Sequence, residues 1–277
     1  SKFSIGVNSG TDALEIILRA HGVKYNDHVL VPSHTAIATV SAIRRCGGIP
    51  IFVDIEKDTF TMCPKSLKKT IFLCNKKKKK IKFVIPVHLY GHPCDMTKIN
   101  KIAKNYKLIV IEDCSQAHGS IINNKKVGNF SIASAFSLYP TKNLGAFGDA
   151  GIIVTKSKKL FLKINRIKQY GWKNRISIEE GVVSRMDEIQ AMILSDRIKD
   201  LKKENKVRIK IAKYFLSKIR NDKFELPKIK KNYTHVFHLF VIKTNFREKL
   251  IKYLKKKDID TIIHYKLPVH EHPAYKK

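Results

Sequence analysis

Between Asn129 and Thr155 the sequence holds a single cation, Lys142, although the whole chain carries 55 Lys and Arg. An amine set between apolar strands and flanked by Gly145 and Gly148 loses hydration. Its pKa falls, and it becomes a nucleophile for a carbonyl carbon. A lone lysine is otherwise a surface residue, so Lys142 gains meaning only from its companions. Asn8-Ser9-Gly10-Thr11-Asp12 falls where a strand ends and a helix begins. Free backbone amides and the helix dipole make such a junction an anion site, and Gly10 lets the backbone approach closely. The same residues also read as an ordinary N-cap by Ser9 or Thr11. Glu112-Asp113-Cys114-Ser115-Gln116-Ala117-His118-Gly119 follows an apolar run. A carboxylate at the end of a buried parallel strand must find a partner or be desolvated at a cost. A protonated heterocyclic nitrogen is one such partner; a helix cap by Asp113 or Ser115 is the plain alternative. Around Tyr170-Gly171-Trp172 and Gly181–Gln190, Arg185 either pairs with Asp187 and Glu188 or reaches an anion.

The elements that must position these groups follow from periodicity. Ile5–Val7, Val29–Val31, Pro50–Val53, Phe83–Val87, Leu108–Ile111, Ala133–Ser137 and Gly151–Val154 read as strands. Thr11–His21, Thr35–Cys46 and Met96–Tyr106 read as helices between them. Alternation of this kind predicts βαβ units and a mostly parallel sheet flanked by helices. After about Thr155 the composition shifts. A Lys-rich helix is expected from Met186 to about Arg220, then strands at His235–Ile242 and Thr261–Ile263 with a helix at Phe246–Lys256. Domains are therefore expected at 1–185, a large α/β unit, and 186–277, a smaller α+β unit. Lys76–Lys80 reads as an exposed loop or helix end.

Composition excludes several classes. The chain has 277 residues, 43% of them hydrophobic, which fills a globular core and rules out wholesale disorder. No apolar run reaches a membrane span, no signal peptide opens the chain, and a cytoplasmic protein is expected. The formal charge of +32 invites a nucleic-acid reading. Only 10 of the cations are Arg, and the lysines are spread along the chain. Base and phosphate recognition favour Arg forks, so a solvated basic surface that attracts small anions is expected instead, with no nucleic-acid partner. Five scattered cysteines without a C-x-x-C pair argue for reduced thiols and against a metal site.

Anion cradle, carboxylate and lysine occur in the order needed to hold pyridoxal 5′-phosphate (PLP): phosphate at the helix end, pyridine nitrogen on Asp113, aldehyde on Lys142. The sequence resembles the DegT/DnrJ/EryC1/StrS family of sugar aminotransferases. The resemblance rests on 6–14 (Gly-Val-Asn-Ser-Gly-Thr-Asp-Ala-Leu), 31–39 (Val-Pro-Ser-His-Thr-Ala-Ile-Ala-Thr), 87–91 (Val-His-Leu-Tyr-Gly), 112–119, 137–145 (Ser-Leu-Tyr-Pro-Thr-Lys-Asn-Leu-Gly) and 184–191. It implies a fold-type-I, aspartate-aminotransferase-like α/β architecture. Lys142 would be the catalytic lysine and would carry the cofactor. Asp113 would hold the pyridine nitrogen and Gln116 would lie near the ring hydroxyl, with Ser9, Gly10, Thr11 and Ser137 at the phosphate. Tyr139, Arg185, His264 and Tyr265 are the candidate substrate contacts, and His270 and Tyr275 belong to the same C-terminal region. Ala36 stands where many relatives place an aromatic ring, leaving His34 as the candidate ring, and Val183 stands where many have Asn. The implied reaction moves an amine from an amino acid, usually glutamate, to a nucleotide-linked keto-sugar. The branch most resembled aminates C3 of a dTDP-3-keto-6-deoxyhexose. Amination at C4 of a UDP- or GDP-sugar, or a degenerate member that regulates, are the alternatives. A homodimer with shared sites is implied, as is truncation at both ends.

Overall fold

The β-branched runs assemble into one sheet whose strand ends converge. The computed structural model describes residues 1–276. In chain order, β1 (Phe3–Val7) leads into α1 (Gly10–Ala20), β2 (His28–Pro32) into α2 (Ile37–Arg45), β3 (Ile49–Val53) into α3 (Pro64–Lys76), and β4 (Ile81–Val84) into α4 (Met96–Asn105). Then come β5 (Ile109–Asp113), a small hairpin of β6 (Ile121–Ile122) and β7 (Lys125–Lys126), β8 (Ala133–Ser137), β9 (Gly151–Thr155) and α5 (Lys158–Ile167). A second hairpin, β10 (Trp172–Lys173) and β11 (Ile176–Ser177), precedes α6 (Glu188–Arg197) and α7 (Leu201–Lys218). Last are β12 (Tyr233–Thr234), which joins β6, and α8 (Arg247–Lys255).

The main sheet has the order β1-β9-β8-β5-β4-β2-β3. Pairs β2–β3, β2–β4, β4–β5 and β5–β8 are parallel, and β9 is antiparallel to both β8 and β1. Only β9 is reversed, because residues 138–150 return as a loop without a helical crossover. That loop carries Lys142. Apolar side chains cover both faces. Helices α1, α2 and α5 pack on one side through Leu14, Ile17, Ile43 and Ile164, and α3 and α4 on the other through Leu67, Ile71, Met96 and Ile99. Leu14, Ile16, Ile17 and Leu18 of α1 are fully buried, worth about 2 kcal/mol each from area removed from water. This helix, which begins at the anion motif, is thus among the best anchored.

Several expectations are corrected. The single helix at 186–220 is two helices broken at residues 198–200; the break lets Arg197 donate to Gly145 O at 2.7 Å while Asn205 reaches His118 O at 2.8 Å. His235–Ile242 is not a strand. Its backbone is taken by the 89–91 turn, through Val236 N to Gly91 O and Leu239 N to Tyr90 O. Thr261–Ile263 is irregular too, having found no strand to pair with among the described residues. Helix α3 was missed although Pro64 at its first turn and Leu67, Ile71 and Cys74 at helical spacing announce it. Among the described residues no helix is long and apolar enough to cross a membrane.

Candidate active site

Ser9 caps α1, with Oγ accepting from Asp12 N at 3.1 Å and its carbonyl accepting from Ala13 N at 2.9 Å. The amides of Gly10 and Thr11 make no such bond among the described residues. The N-cap reading is seen directly, and two amides at the positive end of the helix are left without an intrahelical acceptor, as an anion site would need. A Cβ on Gly10 would stand 2.7 Å from Ser137 Cβ and 3.0 Å from its Cα. The end of β8 thus closes on the start of α1 and brings the Ser137 hydroxyl to the cradle. Asp12 is kept from repelling an anion by Arg45 Nη1 at 3.1 Å and Ser184 Oγ at 2.7 Å.

Asp113 ends β5 and is buried. Thr39 Oγ1 donates to its Oδ2 at 2.8 Å and Ser115 N to its Oδ1 at 3.0 Å. Two donors suit the ionised carboxylate and fix its plane. Gln116 accepts from Tyr90 N at 2.7 Å and donates to Tyr265 Oη at 3.1 Å, so one of its N–H groups stays free. Tyr90 holds a left-handed backbone, φ 58°, and its hydroxyl donates to the carbonyl of His264. These bonds tie the C-terminal segment to the sheet end.

Lys142 lies in the loop between β8 and β9. Leu138 N bonds Ala150 O, Ala146 N bonds Leu138 O and Lys142 N bonds Tyr139 O, at 2.7–2.9 Å. Leu138, Leu144, Ala146 and Ala150 anchor the loop to Leu194 of α6. A Cβ on Gly145 would meet Pro140 O at 2.5 Å, which is why glycine stands there. Burial pulls the Lys142 ammonium below its ordinary pKa, while the Asp113 carboxylate pulls the other way. Burial prevails, so the amine loses its proton more readily than a surface lysine.

A cavity of about 230 Å³ joins these groups. Ser9, Gly10, Thr11, Asp113, Gln116, Ser137, Tyr139 and Lys142, all expected from the sequence, line it together. His34 does not: Thr35 and Ala36 line the wall, while His34 Nε2 bonds Tyr90 Oη at 2.8 Å. Arg185 is exposed and outside the lining. Tyr265 reaches the site through Gln116, and His264 feels the Lys142 charge. His270 instead packs on Phe52, and Tyr275 on the core. Sequence reasoning missed Thr39, Tyr90, Asn143 and Asp149. The first three lie inside matching segments and had no chemistry of their own to announce them. The cavity's chemistry fits PLP: an amide-and-hydroxyl cradle at a helix start, a fixed carboxylate and a desolvated amine.

His88, Glu112 and Cys114 also approach within 4.8 Å of one another. Glu112 takes Gly128 N, Phe130 N, Ser131 Oγ and His88 Nε2, and His88 Nδ1 accepts from Cys94 N. The carboxylate of Glu112 and both nitrogens of His88 are thus already bonded, and the two residues tie β5 to the segments around Cys94 and 128–131.

Comparison with known proteins agrees with this geometry. The family model described as "DegT/DnrJ/EryC1/StrS aminotransferase family" matches residues 1–277. The chain is 42% identical over 276 residues to the dTDP-3-amino-3,6-dideoxy-alpha-D-galactopyranose transaminase of Aneurinibacillus thermoaerophilus, covering 99% of this chain and 74% of that one. It superposes on a DegT DnrJ EryC1 StrS aminotransferase from Brucella abortus with a TM-score of 0.96 at 30% identity, covering 99% of this chain and 74% of that one. Against NtdA of Bacillus subtilis, solved with bound cofactor PMP, the TM-score is 0.89 at 32% identity, covering 99% and 63%. With the family model matching the whole chain and a relative 42% identical over nearly all of it, the chain belongs to the DegT/DnrJ/EryC1/StrS aminotransferase family, whose cofactor is pyridoxal 5′-phosphate.

Proposed function

We propose that this chain moves an amino group from an amino-acid donor, glutamate, to C3 of a dTDP-linked 3-keto-6-deoxyhexose for deoxyamino-sugar and surface-glycan synthesis. One observation carries the reading: Lys142 and Asp113 face a single cavity whose far wall is the amide cradle of α1. When bound, PLP supplies the carbonyl and the electron sink for amine transfer. Gly10 and Thr11 amides with the Ser9 and Ser137 hydroxyls would hold its phosphate. Asp113, oriented by Thr39 and Ser115, would keep the pyridine nitrogen protonated. The Lys142 amine, which burial makes readier to lose its proton, would hold the cofactor and carry protons beside it. Tyr139, in the cavity wall, and Tyr265, bonded to Gln116, would with His264 contact the substrate, and the 42%-identical relative, a dTDP-3-amino-3,6-dideoxy-alpha-D-galactopyranose transaminase, supports the C3 assignment.

We further infer a homodimer and a division into units 1–185 and 186–277. Phe147, Ile176, Ile189 and Met192 are 66–76% exposed, on the lysine loop, the β10–β11 hairpin and α6. A second copy would bury them and complete the cavity wall. The net charge of +32 suits a doubly anionic nucleotide diphosphate. The test is incubation with glutamate and a panel of dTDP- and UDP-linked keto-sugars, with the product amine located by NMR. An amine at C3 of the dTDP substrate is expected. An amine at C4, or no transfer from any amino acid, overturns the assignment.

A further inference from the structure

The lysines are spread along the chain, but the carboxylates are not. From Thr59 to Ile111 there are 13 Lys, no Arg and a single acid, Asp95. These 53 residues hold a surplus of 12 positive charges, against 32 for all 277. The segment is thus about twice as basic as the chain as a whole. The fold gathers it on one surface. Helices α3 and α4 lie on the same face of the sheet and share a core through Leu67, Ile71, Met96 and Ile99. Both end at the edge where β4 and β5 begin, so Lys76–Lys80 and the pair Lys104 and Lys107 come to that edge together. Lys82 pairs with Asp27 at 2.9 Å and Lys98 with Asp95 at 3.1 Å. Among the described residues the other eleven make no ion pair. A cation in a last turn complements the helix dipole, and Lys76 and Lys104 do that. The run from Lys77 to Lys80 lies beyond it.

The outward side of α3 is not purely charged. Lys65, Lys68, Lys69, Phe72, Leu73 and Lys76 are all exposed, and their spacing of three and four residues sets them in one stripe. Phe72 is 54% exposed and Leu73 46%, and Lys76 Nζ lies 4.9 Å from the Phe72 ring centroid. Scattered apolar side chains need no explanation, but this pair stands at the centre of a cationic stripe. Electrostatic attraction and burial of apolar area are the two forces that hold a protein on an anionic bilayer, and the stripe supplies both. The surface is not placed to serve the cavity. Asp113 and Ser137 end their strands at the cavity, whereas Lys76–Lys80 precede the first residue of β4. The length of β5, roughly 16 Å, separates the two edges. Nor does it suit nucleic acid, whose phosphates and bases are read by Arg forks.

We propose that the outward face of α3, with the Lys76–Lys80 turn and the end of α4, docks on the surface of a bilayer rich in anionic phospholipid, the lysines meeting head-group phosphates while Phe72 and Leu73 enter the interface. No helix among the described residues is long and apolar enough to cross the membrane, so this attachment is peripheral and reversible. The cavity, at the opposite edge of the sheet, stays open to water. Docking does not depend on the amine-transfer reading.

The test is sedimentation of the purified enzyme with vesicles of phosphatidylcholine alone and with vesicles in which about a third of the lipid is phosphatidylglycerol, at about 0.15 M salt. Binding to the anionic vesicles only, weakening steeply as salt rises, is expected. Lys76→Gln, Lys77→Gln, Lys78→Gln and Lys80→Gln combined should weaken it about 100-fold or more, since each lysine near such a surface contributes about fivefold. Phe72→Ala keeps every charge and should weaken it about tenfold. Lys202→Gln, Lys203→Gln, Lys206→Gln and Lys210→Gln combined, on α7, remove the same charge elsewhere and should leave binding as in the wild type. All these positions are exposed, so circular dichroism should be the same in every variant. No binding to anionic vesicles, equal losses in the two combined variants, or full binding by Phe72→Ala overturns the proposal. Binding to single-stranded RNA without binding to vesicles also overturns it and assigns the face to nucleic acid. Vesicle binding without any amine transfer counts against the functional reading alone.

Discussion

Acid should unfold this protein by protonating imidazoles that the fold keeps neutral, and the effect can be worked residue by residue. His92, His118 and His235 are at most 4% exposed. Burial, the largest cause in each, lowers their pKa values from 6.5 to about 4, 3 and 3. The unfolded chain takes up a proton at each site near the ordinary value, and the folded chain does not. The unfolded state therefore binds more protons between about pH 6.5 and the folded values, and stability falls as pH falls through that window. At pH 5 each site should cost about 2 kcal/mol relative to pH 8, and the three together about 6 kcal/mol. That is comparable to the whole stability of an ordinary domain. The assay is urea unfolding of cofactor-free protein from pH 8 to 5, so that ligand binding stays out of the linkage. His118→Phe, with His118→Leu as a second choice, isolates one site. Neither of its ring nitrogens is bonded, so the variant should lose about 2 kcal/mol less than wild type between pH 8 and pH 5. Equal acid sensitivity in the two proteins would refute the reasoning.

Other substitutions probe the site itself. Gly10→Ala places a methyl 2.7 Å from Ser137 Cβ; overpacking costs about 1–3 kcal/mol, so an absorbance titration should show cofactor affinity down about 10- to 100-fold. Thr39→Val removes the donor to Asp113 Oδ2 at 2.8 Å while keeping shape. Cofactor affinity should fall about tenfold, the worth of a hydrogen bond to a charged group, and an unchanged titration would show that Thr39 does not orient Asp113. Arg197→Ala frees Gly145 O, so amide exchange across 138–150 should quicken while the β5 amides stay protected.

The site's chemistry could be read from the sequence because it sits at strand ends, where alternating βαβ runs locate the chain. Asp113 and Ser137 end strands, Ser9, Gly10 and Lys142 follow one by a few residues, and the parallel sheet brings such positions together whatever the loops do. The supporting groups were less visible. Thr39 lies in a helix and matters only because β2 and β5 place α2 beside Asp113. Asn205 is one polar residue in a Lys-rich helix, and nothing in its surroundings marks it as buried. His34 failed as a cavity residue because Tyr90, in its left-handed turn, takes its Nε2. The C-terminal strands failed for a related reason. The 235–242 run has strand composition, but its hydrogen-bond partners are the 89–91 turn, a long-range choice that local propensity does not encode.

Purified protein mixed with one equivalent of PLP, reduced with borohydride, digested and mapped by mass spectrometry tests the central claim most directly. The chain offers dozens of exposed lysines as competitors, so the outcome discriminates sharply. One adduct per chain, confined to Lys142 and abolished by Lys142→Ala, is the predicted result. Adducts scattered over surface lysines, with Lys142 unmodified, would contradict it.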